Sequence, residues 1–378
     1  MKPIYKFFIV FLILGIIAWI VYFVVSKTGI TEPQLSEENT TSTEQINTEG
    51  GATQKTTQEI VEKINNENKG TLFTEIKKIS DVPALFYWYY EKNNRIFYIT
   101  ETGVIKKEID GKSEIIQINQ LNNVSVVRPN DDGSFVLLKF IGNNGMVWGV
   151  FSSMDEKITP LNSSIIDAVW DVNNQEVIAS ILQSGKTSIV SFDSKKNYSE
   201  FSVIIPNINL FDVNLFKKSN DELLFIEKFG NEYPTSVWEY NLKTKIFTTI
   251  RKNLLDFSFK PTLNAYFFTS KKDGFVIADT SLERIMPVTQ KTFPEKCSTI
   301  FTTAFCFVPQ NEISLFNWLT GSTFSNDVLY KYEINQQTES LIDITNITKE
   351  PIDANDVFAT PSSLFFINKY NRFIYALK

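Results

Sequence analysis

The chain has 378 residues and a formal net charge of −6, from 37 basic and 43 acidic side chains. This acidic surplus argues against nucleic-acid binding, which needs a basic surface. The chain has no histidine, which excludes Ser-His-Asp and Cys-His nucleophilic sites and zinc sites with histidine ligands. Its two cysteines are too few for a four-cysteine zinc site or a disulfide-built scaffold. We therefore expect neither a metal nor another cofactor.

The first long apolar segment is 7–25, FFIVFLILGIIAWIVYFVV, which contains no charged residue. As a helix with a rise of about 1.5 Å per residue, this segment would span about 29 Å, close to the thickness of one hydrocarbon core. A cleaved signal peptide is the alternative. Its apolar region should be about 7–15 residues long and end at small residues, which the sequence Val24-Val25-Ser26-Lys27 matches poorly. The segment is therefore predicted to be an uncleaved transmembrane signal anchor.

The flanks of this segment predict its orientation. Lys2 and Lys6 precede it, whereas Lys27 alone follows before acidic residues dominate. The positive-inside rule places residues 1–6 in the cytoplasm and the rest of the chain outside. Residues 26–71 contain no aromatic residue and are rich in Ser, Thr and Glu, so they are predicted to form a disordered linker. The sequence thus predicts a single-pass cell-membrane protein with an extracytoplasmic C-terminal part.

Short apolar runs recur after residue 72, and each follows a polar turn that often contains Asn, Asp or Gly. Six of the seven clearest runs are continuously apolar, which predicts strands that are buried on both faces. The runs are Ile96–Ile99, Phe135–Leu138, Glu176–Ala179, Leu223–Ile226, Ala265–Phe268, Phe305–Val308 and Leu364–Ile367. The turns have the chemistry of β-hairpins.

Each run belongs to a repeating unit in which one strand precedes the turn and two further strands follow. The first strands begin near residues 84, 124, 165, 211, 254, 297 and 354. Four strands in about 40–45 residues are typical of a β-propeller blade. We therefore predict an all-β, seven-bladed propeller over 72–378. Because the last unit provides only three strands, segment 72–79 is predicted to pair with it and close the ring.

The turn Arg128–Ser134, with the sequence RPNDDGS, resembles the Pro-Asp-Gly-Ser turn of the TolB-type, WD-repeat-like propellers of bacterial envelopes. Most other units lack the Pro-Asp-Gly core, and no Trp-Asp pair ends a third strand. The resemblance covers 72–378 and implies a propeller fold with a binding or scaffold role. It carries over no catalytic residue.

Cys297 and Cys306 lie on the first two strands of the sixth unit. A tight turn near Phe301 would place them opposite each other, within about 4.5–5.5 Å, which a disulfide can bridge. In an extracytoplasmic domain this disulfide is the favoured prediction. The alternative is a pair of buried thiols.

The sixth unit also contains the longest departure from the repeat, the loop Pro309–Asp327. Long loops on a rigid scaffold are frequent binding sites, and Phe316, Trp318 and Phe324 have the large side chains found at binding hot spots. They are the predicted binding residues. The alternative is that Trp318 and its neighbouring leucines plug the central channel or cover a neighbouring blade.

Two acidic clusters, Asp131-Asp132 and Asn220-Asp221-Glu222, fall in first hairpin turns. Asp and Asn are expected there for turn geometry, and neither cluster has the ligand spacing of an EF-hand. We interpret both clusters as turn residues rather than metal or glycosidase groups.

The sequence favours a non-enzymatic, membrane-anchored binding or scaffold protein, whose partner is another envelope protein or a glycan on the loop face of the propeller. The alternative is a membrane-tethered propeller hydrolase or lyase that uses carboxylates, because propellers include both classes. Several carboxylates that converge near the propeller axis with an Arg or Tyr would favour this alternative.

Overall fold

The computed structural model describes residues 73–109, 111–117, 120–142, 145–161, 164–171, 176–183, 185–209, 213–227, 234–262, 265–279, 282 and 285–378. The predicted cytoplasmic N-terminus, membrane anchor 7–25 and linker 26–71 lie outside these residues. Among the residues described, no helix is both long and apolar enough to cross a membrane.

The described residues form seven antiparallel sheets of four strands each, which we call blades 1–7. Blades 1–6 use consecutive strands, whereas blade 7 combines the last three strands with β1 (Ile76–Lys78). Blades 1–3 contain β2 (Ala84–Tyr90), β3 (Arg95–Thr100), β4 (Ile105–Ile109), β5 (Lys112–Gln117), β6 (Asn122–Pro129), β7 (Phe135–Gly142), β8 (Gly145–Ser152), β9 (Lys157–Pro160), β10 (Ile165–Trp170), β11 (Glu176–Gln183), β12 (Lys186–Asp193) and β13 (Phe201–Ile208).

Blades 4–7 continue the same pattern. Their strands are β14 (Val213–Ser219), β15 (Glu222–Glu227), β16 (Thr235–Asn241), β17 (Ile246–Leu254), β18 (Ser258–Pro261), β19 (Tyr266–Ser270), β20 (Gly274–Ala278), β21 (Ile285–Pro287), β22 (Cys297–Ile300), β23 (Thr303–Pro309), β24 (Asp327–Glu333), β25 (Thr338–Ile342), β26 (Ala354–Thr360), β27 (Ser363–Asn368) and β28 (Ile374–Leu377). The helical elements are α1 (Leu315–Leu319) and the 3-10 helices Glu91–Asn93, Ser194–Lys196 and Pro294–Lys296.

This architecture confirms the predicted all-β, seven-bladed propeller. The first strands of blades 1, 3, 6 and 7 begin at residues 84, 165, 297 and 354, as the sequence predicts, and those of blades 2 and 4 begin within two residues of the prediction. The start predicted near 254 for blade 5 is wrong, because Leu254 ends β17 and β18 begins at Ser258. All seven predicted runs form second strands of blades. The structure also explains why these strands are apolar at successive positions. In β3, Ile96 and Tyr98 pack against blade 7, whereas Phe97 and Ile99 pack against blade 2. Since successive side chains of a strand point to opposite faces, a blade between two neighbours needs apolar residues at every position.

The apolar core is divided among the seven interfaces between neighbouring blades. Separate clusters of buried side chains fill the interfaces of blades 1 and 2, 2 and 3, 3 and 4, 4 and 5, 5 and 6, 6 and 7, and 7 and 1. A core cluster between blade 7 and blade 1 means that the ring is closed.

The closing strand is β1, whose residues Ile76, Lys77 and Lys78 pair with Leu377, Ala376 and Tyr375 of β28. These residues belong to segment 72–79, which the sequence predicts to close the ring. The strand pairing also fixes where the chain enters the propeller. Ile76 lies level with the turn that joins the first two strands of blade 7, whereas Ile79 lies at the opposite end, bonded to the carbonyl of Ile374.

The two ends of the blades therefore differ. We call the end with the loops between blades, and between second and third strands, the loop face. We call the opposite end, with the turns between first and second strands, the turn face. The chain enters blade 7 at the turn face. The first strand of each blade lies nearest the axis, because first strands of neighbouring blades contact one another, as β10 contacts β14 and β22 contacts β26.

The acidic turn of blade 2 has a structural role, as the sequence interpretation holds. Asp132 Oδ1 accepts a hydrogen bond of 2.9 Å from the backbone N–H of Ser134. Gly133 has a φ of +68°, and a Cβ there would lie 1.9 Å from the carbonyl oxygen of Tyr89 in blade 1. A left-handed backbone and this close approach both require glycine.

Candidate functional site

The long loop of blade 6 folds back on the propeller at the loop face. Its centre is the single-turn helix α1, which begins after Ser314, whose Oγ accepts a hydrogen bond from the backbone N–H of Asn317. Such N-caps are favoured at helix starts because they satisfy a backbone donor that has no partner within the helix. The loop then returns through hydrogen bonds from the backbone N–H groups of Ser322 and Thr323 to the carbonyl of Asn317.

Trp318 does not lie on the surface, although it is one of the three predicted binding residues. Its side chain is fully buried, and its ring contacts Phe293, with 5.1 Å between the ring centroids. Its Nε1 donates a hydrogen bond of 2.8 Å to Asp353 Oδ1. Lys369 donates a hydrogen bond to the Trp318 carbonyl and places its ammonium 4.0 Å from the centre of the indole ring. Trp318 therefore holds the loop against blades 6 and 7, as the packing alternative expects for this residue. That alternative also included Leu315 and Leu319, and Leu319 is exposed instead.

A buried ion cluster lies under this tryptophan. The fully buried Lys296 Nζ donates to Asp327 Oδ2 at 2.6 Å and to Asp353 Oδ1 at 2.7 Å. It also donates to Ser325 Oγ and to the carbonyl of Ala354. The two carboxylates come from the starts of β24 and β26, so the lysine joins blade 6 to blade 7. Because the cluster is buried and its charged groups bond to one another, removing any one partner should strongly lower the stability of the fold.

The two carboxylates of the ion cluster differ electrostatically. Burial opposes the charge of both. In Asp353 the nearby Lys296 and the hydrogen bonds from Ser325 and Trp318 outweigh burial, so its pKa is lowered. In Asp327 burial dominates and raises the pKa, and its Oδ1 has no hydrogen-bond partner among the described residues.

Above the ion cluster lies an exposed apolar patch, which we call the aromatic surface. It consists of Phe316, Leu319, Phe324 and Tyr370, which are 53%, 52%, 44% and 45% exposed. Phe324 stacks on Tyr370 with 5.2 Å between ring centroids and 19° between ring planes. Two of the three predicted binding residues, Phe316 and Phe324, thus lie on this surface. Since Trp318 is fixed beneath α1, the rings above it are presented on a rigid support.

A groove of about 540 Å³ adjoins the start of α1. Its walls are the segment before blade 6, with Gln290 and Phe293, and the start of the long loop, with Pro309 and Ile313. The ion pair between Lys291 and Glu312, with an N–O distance of 2.8 Å, joins the two walls. Both side chains are almost fully exposed, so this pair contributes little to stability. Polar side chains such as Gln310 and Asn311 line the groove together with these apolar ones, so a partner could make both polar and apolar contacts there.

The two cysteines lie within the core between blades 5 and 6. Cys297 of β22 is directly opposite Cys306 of β23, and a disulfide joins them, with 4.1 Å between their Cα atoms. The turn between the two strands contains Phe301, which is 71% exposed on the turn face.

A second group of charged residues, which we call the axial cluster, lies on the innermost strands. Lys260 of β18 donates hydrogen bonds of 2.9 Å to the carbonyls of Cys297 in blade 6 and Val357 in blade 7. Glu295, at the loop face of blade 6, accepts a bond of 2.6 Å from Ser258 Oγ. Asp356 of β26 completes the charged groups, and the Tyr87 hydroxyl of blade 1 donates to its backbone carbonyl. Four blades therefore meet at this cluster.

Burial shifts the pKa of every titratable group in the axial cluster. It raises the pKa of Glu295 and of Asp356 and lowers that of Lys260. The attraction between Lys260 and each carboxylate opposes these shifts without reversing them. Burial also raises the pKa of Tyr87, so its hydroxyl stays protonated. Both carboxyl groups therefore take up protons more readily than carboxyl groups in water.

Sequence reasoning did not find several residues of these sites. Tyr370 lies in the loop between β27 and β28, and the rule that such loops emerge at the loop face could have identified it. By contrast, Lys296, Asp353 and Glu295 had no signal in the sequence, because their partners come from distant segments. Among the residues that the structure describes, no three Asp, Glu or Cys side chains are grouped as a metal site requires.

No family model matches the chain, and no curated protein matches it. Solved structures do. The chain is similar to the uncharacterized protein lmo1340 of Listeria monocytogenes EGD-e, with a TM-score of 0.52 and 12% identity over 80% of this chain and 98% of that chain. It is also similar to oligogalacturonate lyase of Vibrio parahaemolyticus, with a TM-score of 0.52 and 9% identity over 80% of this chain and 92% of that chain.

A third similar structure is the tricorn protease, with a TM-score of 0.50 and 10% identity over 80% of this chain and 34% of that chain. This chain therefore spans about a third of the tricorn protease chain. At such identities the likeness shows the fold alone, a β-propeller, and the fold does not decide between binding and catalysis.

Proposed function

We propose that this protein is a membrane-anchored, extracytoplasmic propeller that binds another envelope protein through the aromatic surface. The observation that carries the proposal is the exposed group of Phe316, Leu319, Phe324 and Tyr370 on a buried and hydrogen-bonded support. Large apolar side chains held rigidly lose little conformational entropy on binding, which is why such residues dominate interface energetics.

The chemistry of the surface favours a protein over a glycan. Phe316, Leu319 and Phe324 have no polar side-chain atom. Within this surface, the Tyr370 hydroxyl is therefore the one side-chain group that can hydrogen-bond to a sugar. The three apolar side chains can instead bury area against apolar side chains of a partner, as the centre of a protein interface does. The adjoining groove of about 540 Å³ adds room for a side chain of that partner.

The position of the chain entry also supports this role. The propeller is entered at the turn face, whereas the aromatic surface lies at the loop face. The aromatic surface and the strand that begins the described chain thus lie at opposite ends of the propeller, so β1 does not cover the binding surface. The resemblance of the turn Arg128–Ser134 to TolB-type envelope propellers agrees with this arrangement.

The alternative, a hydrolase or lyase that uses carboxylates, has less support. Glu295 and Asp356 do converge at the innermost strands with Tyr87. However, the Tyr87 hydroxyl donates to a backbone carbonyl, and Lys260 donates to two others. These groups hold neighbouring blades together, and their hydrogen bonds do not align an acid with a base as a proton-transfer pair requires.

The test is site-specific photo-crosslinking in living cells. A photoreactive phenylalanine analogue replaces Phe316 in one variant and Phe301 in a matched control, which is as exposed but lies on the turn face. We expect a discrete crosslinked protein from position 316 alone, and we expect it to disappear when Phe324 is also changed to Ala. Equal crosslinking from both positions, or none from position 316, would contradict the proposal.

A further inference from the structure

The axial cluster contains more negative than positive charge. Glu295 and Asp356 contribute two carboxylates, and Lys260 contributes one ammonium. Lys369, in the loop between β27 and β28, also lies close enough for its charge to interact with Glu295, but its own bond goes to the Trp318 carbonyl. Lys369 shares its charge among Glu295, Asp353 and Asp327. When the ion cluster is counted too, three lysines face four carboxylates, so one negative charge stays unbalanced.

Hydrogen bonding at the cluster is also incomplete. Glu295 Oε1 accepts from Ser258, but Glu295 Oε2 is buried and has no hydrogen-bond partner among the described residues. None of the described residues donates a hydrogen bond to the carboxylate of Asp356, whose side chain is partly exposed to solvent. A buried carboxylate oxygen without a donor costs free energy, so each such group in a native structure needs an explanation.

One kind of ligand would satisfy both the unbalanced charge and the carboxylate oxygens that have no donor. A ligand with a positive charge and N–H donors would supply the missing charge and the missing hydrogen bonds together. We propose that the axial cluster is a binding site for a small organic cation, a primary ammonium or a guanidinium group, held by Glu295 and Asp356. This site is separate from the aromatic surface and does not depend on partner binding there.

A divalent metal ion fits this site less well. Metal ions of this kind need several oxygen ligands, and the described residues contain no group of three acidic or cysteine side chains able to hold one. The Lys260 ammonium, whose charge interacts with both carboxylates, would repel a doubly charged ion. An organic cation spreads its charge over several N–H groups and can bond to both carboxylates at once.

The cation competes with protons for the two carboxyl groups. The groups that face them are Lys260 of β18, Ser258 of β18, Tyr87 of β2 and, near Glu295, Lys369. Since burial raises the pKa of Glu295 and of Asp356, a cation that binds their charged forms displaces protons. Its affinity should therefore fall as the pH is lowered through the raised pKa values of these two groups.

The experiment is calorimetric titration of the full chain in detergent with spermidine, which carries ammonium groups on a linear chain. Triethylene glycol is the neutral probe of similar length, and calcium chloride is the metal probe. Asp356→Asn and Glu295→Gln remove one carboxylate each. Asp343→Asn is the matched control, because it removes the same charge from an exposed residue whose carboxylate accepts hydrogen bonds from Thr345.

We expect spermidine to bind the wild type and Asp343→Asn alike, with proton release seen as an enthalpy that depends on the buffer. We expect both axial variants to weaken binding by at least about tenfold. Equal affinity in all four proteins, an equal loss in Asp343→Asn, absence of spermidine binding, or equal binding of triethylene glycol would overturn the proposal. Calcium binding that is lost in the axial variants would overturn it too, in favour of a metal site.

Discussion

The indole Nε1 of Trp318 donates a hydrogen bond of 2.8 Å to Oδ1 of Asp353, the same oxygen that accepts from Lys296 at 2.7 Å. One carboxylate oxygen thus links the long loop of blade 6 to the start of blade 7. Two contacts of Trp318 hold the loop: this hydrogen bond and the packing of its ring on Phe293. The exposed rings of the aromatic surface depend on this support.

The first prediction concerns this support. Trp318→Ala removes a fully buried ring and the donor to Asp353, so we expect a loss of about 3–5 kcal/mol in the free energy of unfolding. Trp318→Phe keeps most of the ring packing and should lose less. Phe316→Ala, which changes an exposed side chain on the same helix, should stay within about 0.5 kcal/mol of the wild type. Denaturant unfolding measures all three, and similar stabilities for Trp318→Ala and Phe316→Ala would contradict the assignment.

The second prediction concerns Gly133, in the acidic turn of blade 2. Gly133→Ala places a methyl group 1.9 Å from the Tyr89 carbonyl oxygen and imposes a left-handed φ on a residue with a Cβ. We expect a loss of more than about 2 kcal/mol, because the clash adds to the backbone strain of about 1–2 kcal/mol.

The control for this change is Gly111→Ala. Gly111 has a φ of +83°, but nothing lies within 4 Å of the place that its new methyl group would take, so only the backbone strain of about 1–2 kcal/mol remains. The difference between the melting temperatures of the two variants measures the effect of the clash, because both share the backbone strain. Equal losses would mean that blades 1 and 2 do not approach each other at Gly133 as described.

The third prediction concerns pH. Burial raises the pKa of Glu295, Asp327 and Asp356 above their values in the unfolded chain. The native state therefore binds protons more readily at these groups, and they add stability as the pH falls through their folded pKa values. The pKa of Asp353 is lowered instead, so its contribution is lost only below the unfolded value of about 4.

The melting temperature should therefore rise as the pH is lowered through the raised pKa values of these groups toward about 4, and fall again below about 4. Asp356→Asn should be more stable than the wild type at pH 8 and show a smaller rise on acidification, since asparagine also tolerates the φ of 52° at this position. Asp343→Asn should keep the wild-type slope. A melting temperature that falls steadily from pH 8 to pH 5 would refute the assignment of raised pKa values.

The fourth prediction concerns the disulfide between Cys297 and Cys306. In protein isolated from the cells that naturally produce it, we expect neither cysteine to react with an alkylating reagent until a reductant and a denaturant are added. Replacing both cysteines with Ala should cost about 2–4 kcal/mol. Mass spectrometry without reduction provides the measurement, and two alkylated thiols in the unreduced, denatured protein would show that the bond does not form there.

The repeat was predictable because its signals are local. A continuous apolar run, a preceding turn with Asn, Asp or Gly, and the spacing of the first strands suffice to give blade number and strand order. Even the first residues of β2 and β22, Ala84 and Cys297, follow from where polar turns give way to apolar residues.

The sites were predictable only in part, because their contacts join distant segments. Lys296 reaches a carboxylate 57 residues further along the chain, and Lys260 reaches a carbonyl 97 residues away. The spacing of these residues in the sequence does not indicate that they pair. For Trp318, size and apolar character suit a binding residue and a packing residue equally, and only the presence of Phe293 and Asp353 beneath it decides between them.

The most direct test of the account is the affinity of the purified full chain for the protein captured by crosslinking at position 316. We predict that Phe316→Ala combined with Phe324→Ala raises the Kd by at least about tenfold without changing the melting temperature, whereas Phe301→Ala on the turn face leaves the Kd unchanged. An unchanged Kd for the double variant, or an equal loss in Phe301→Ala, would contradict binding through the aromatic surface.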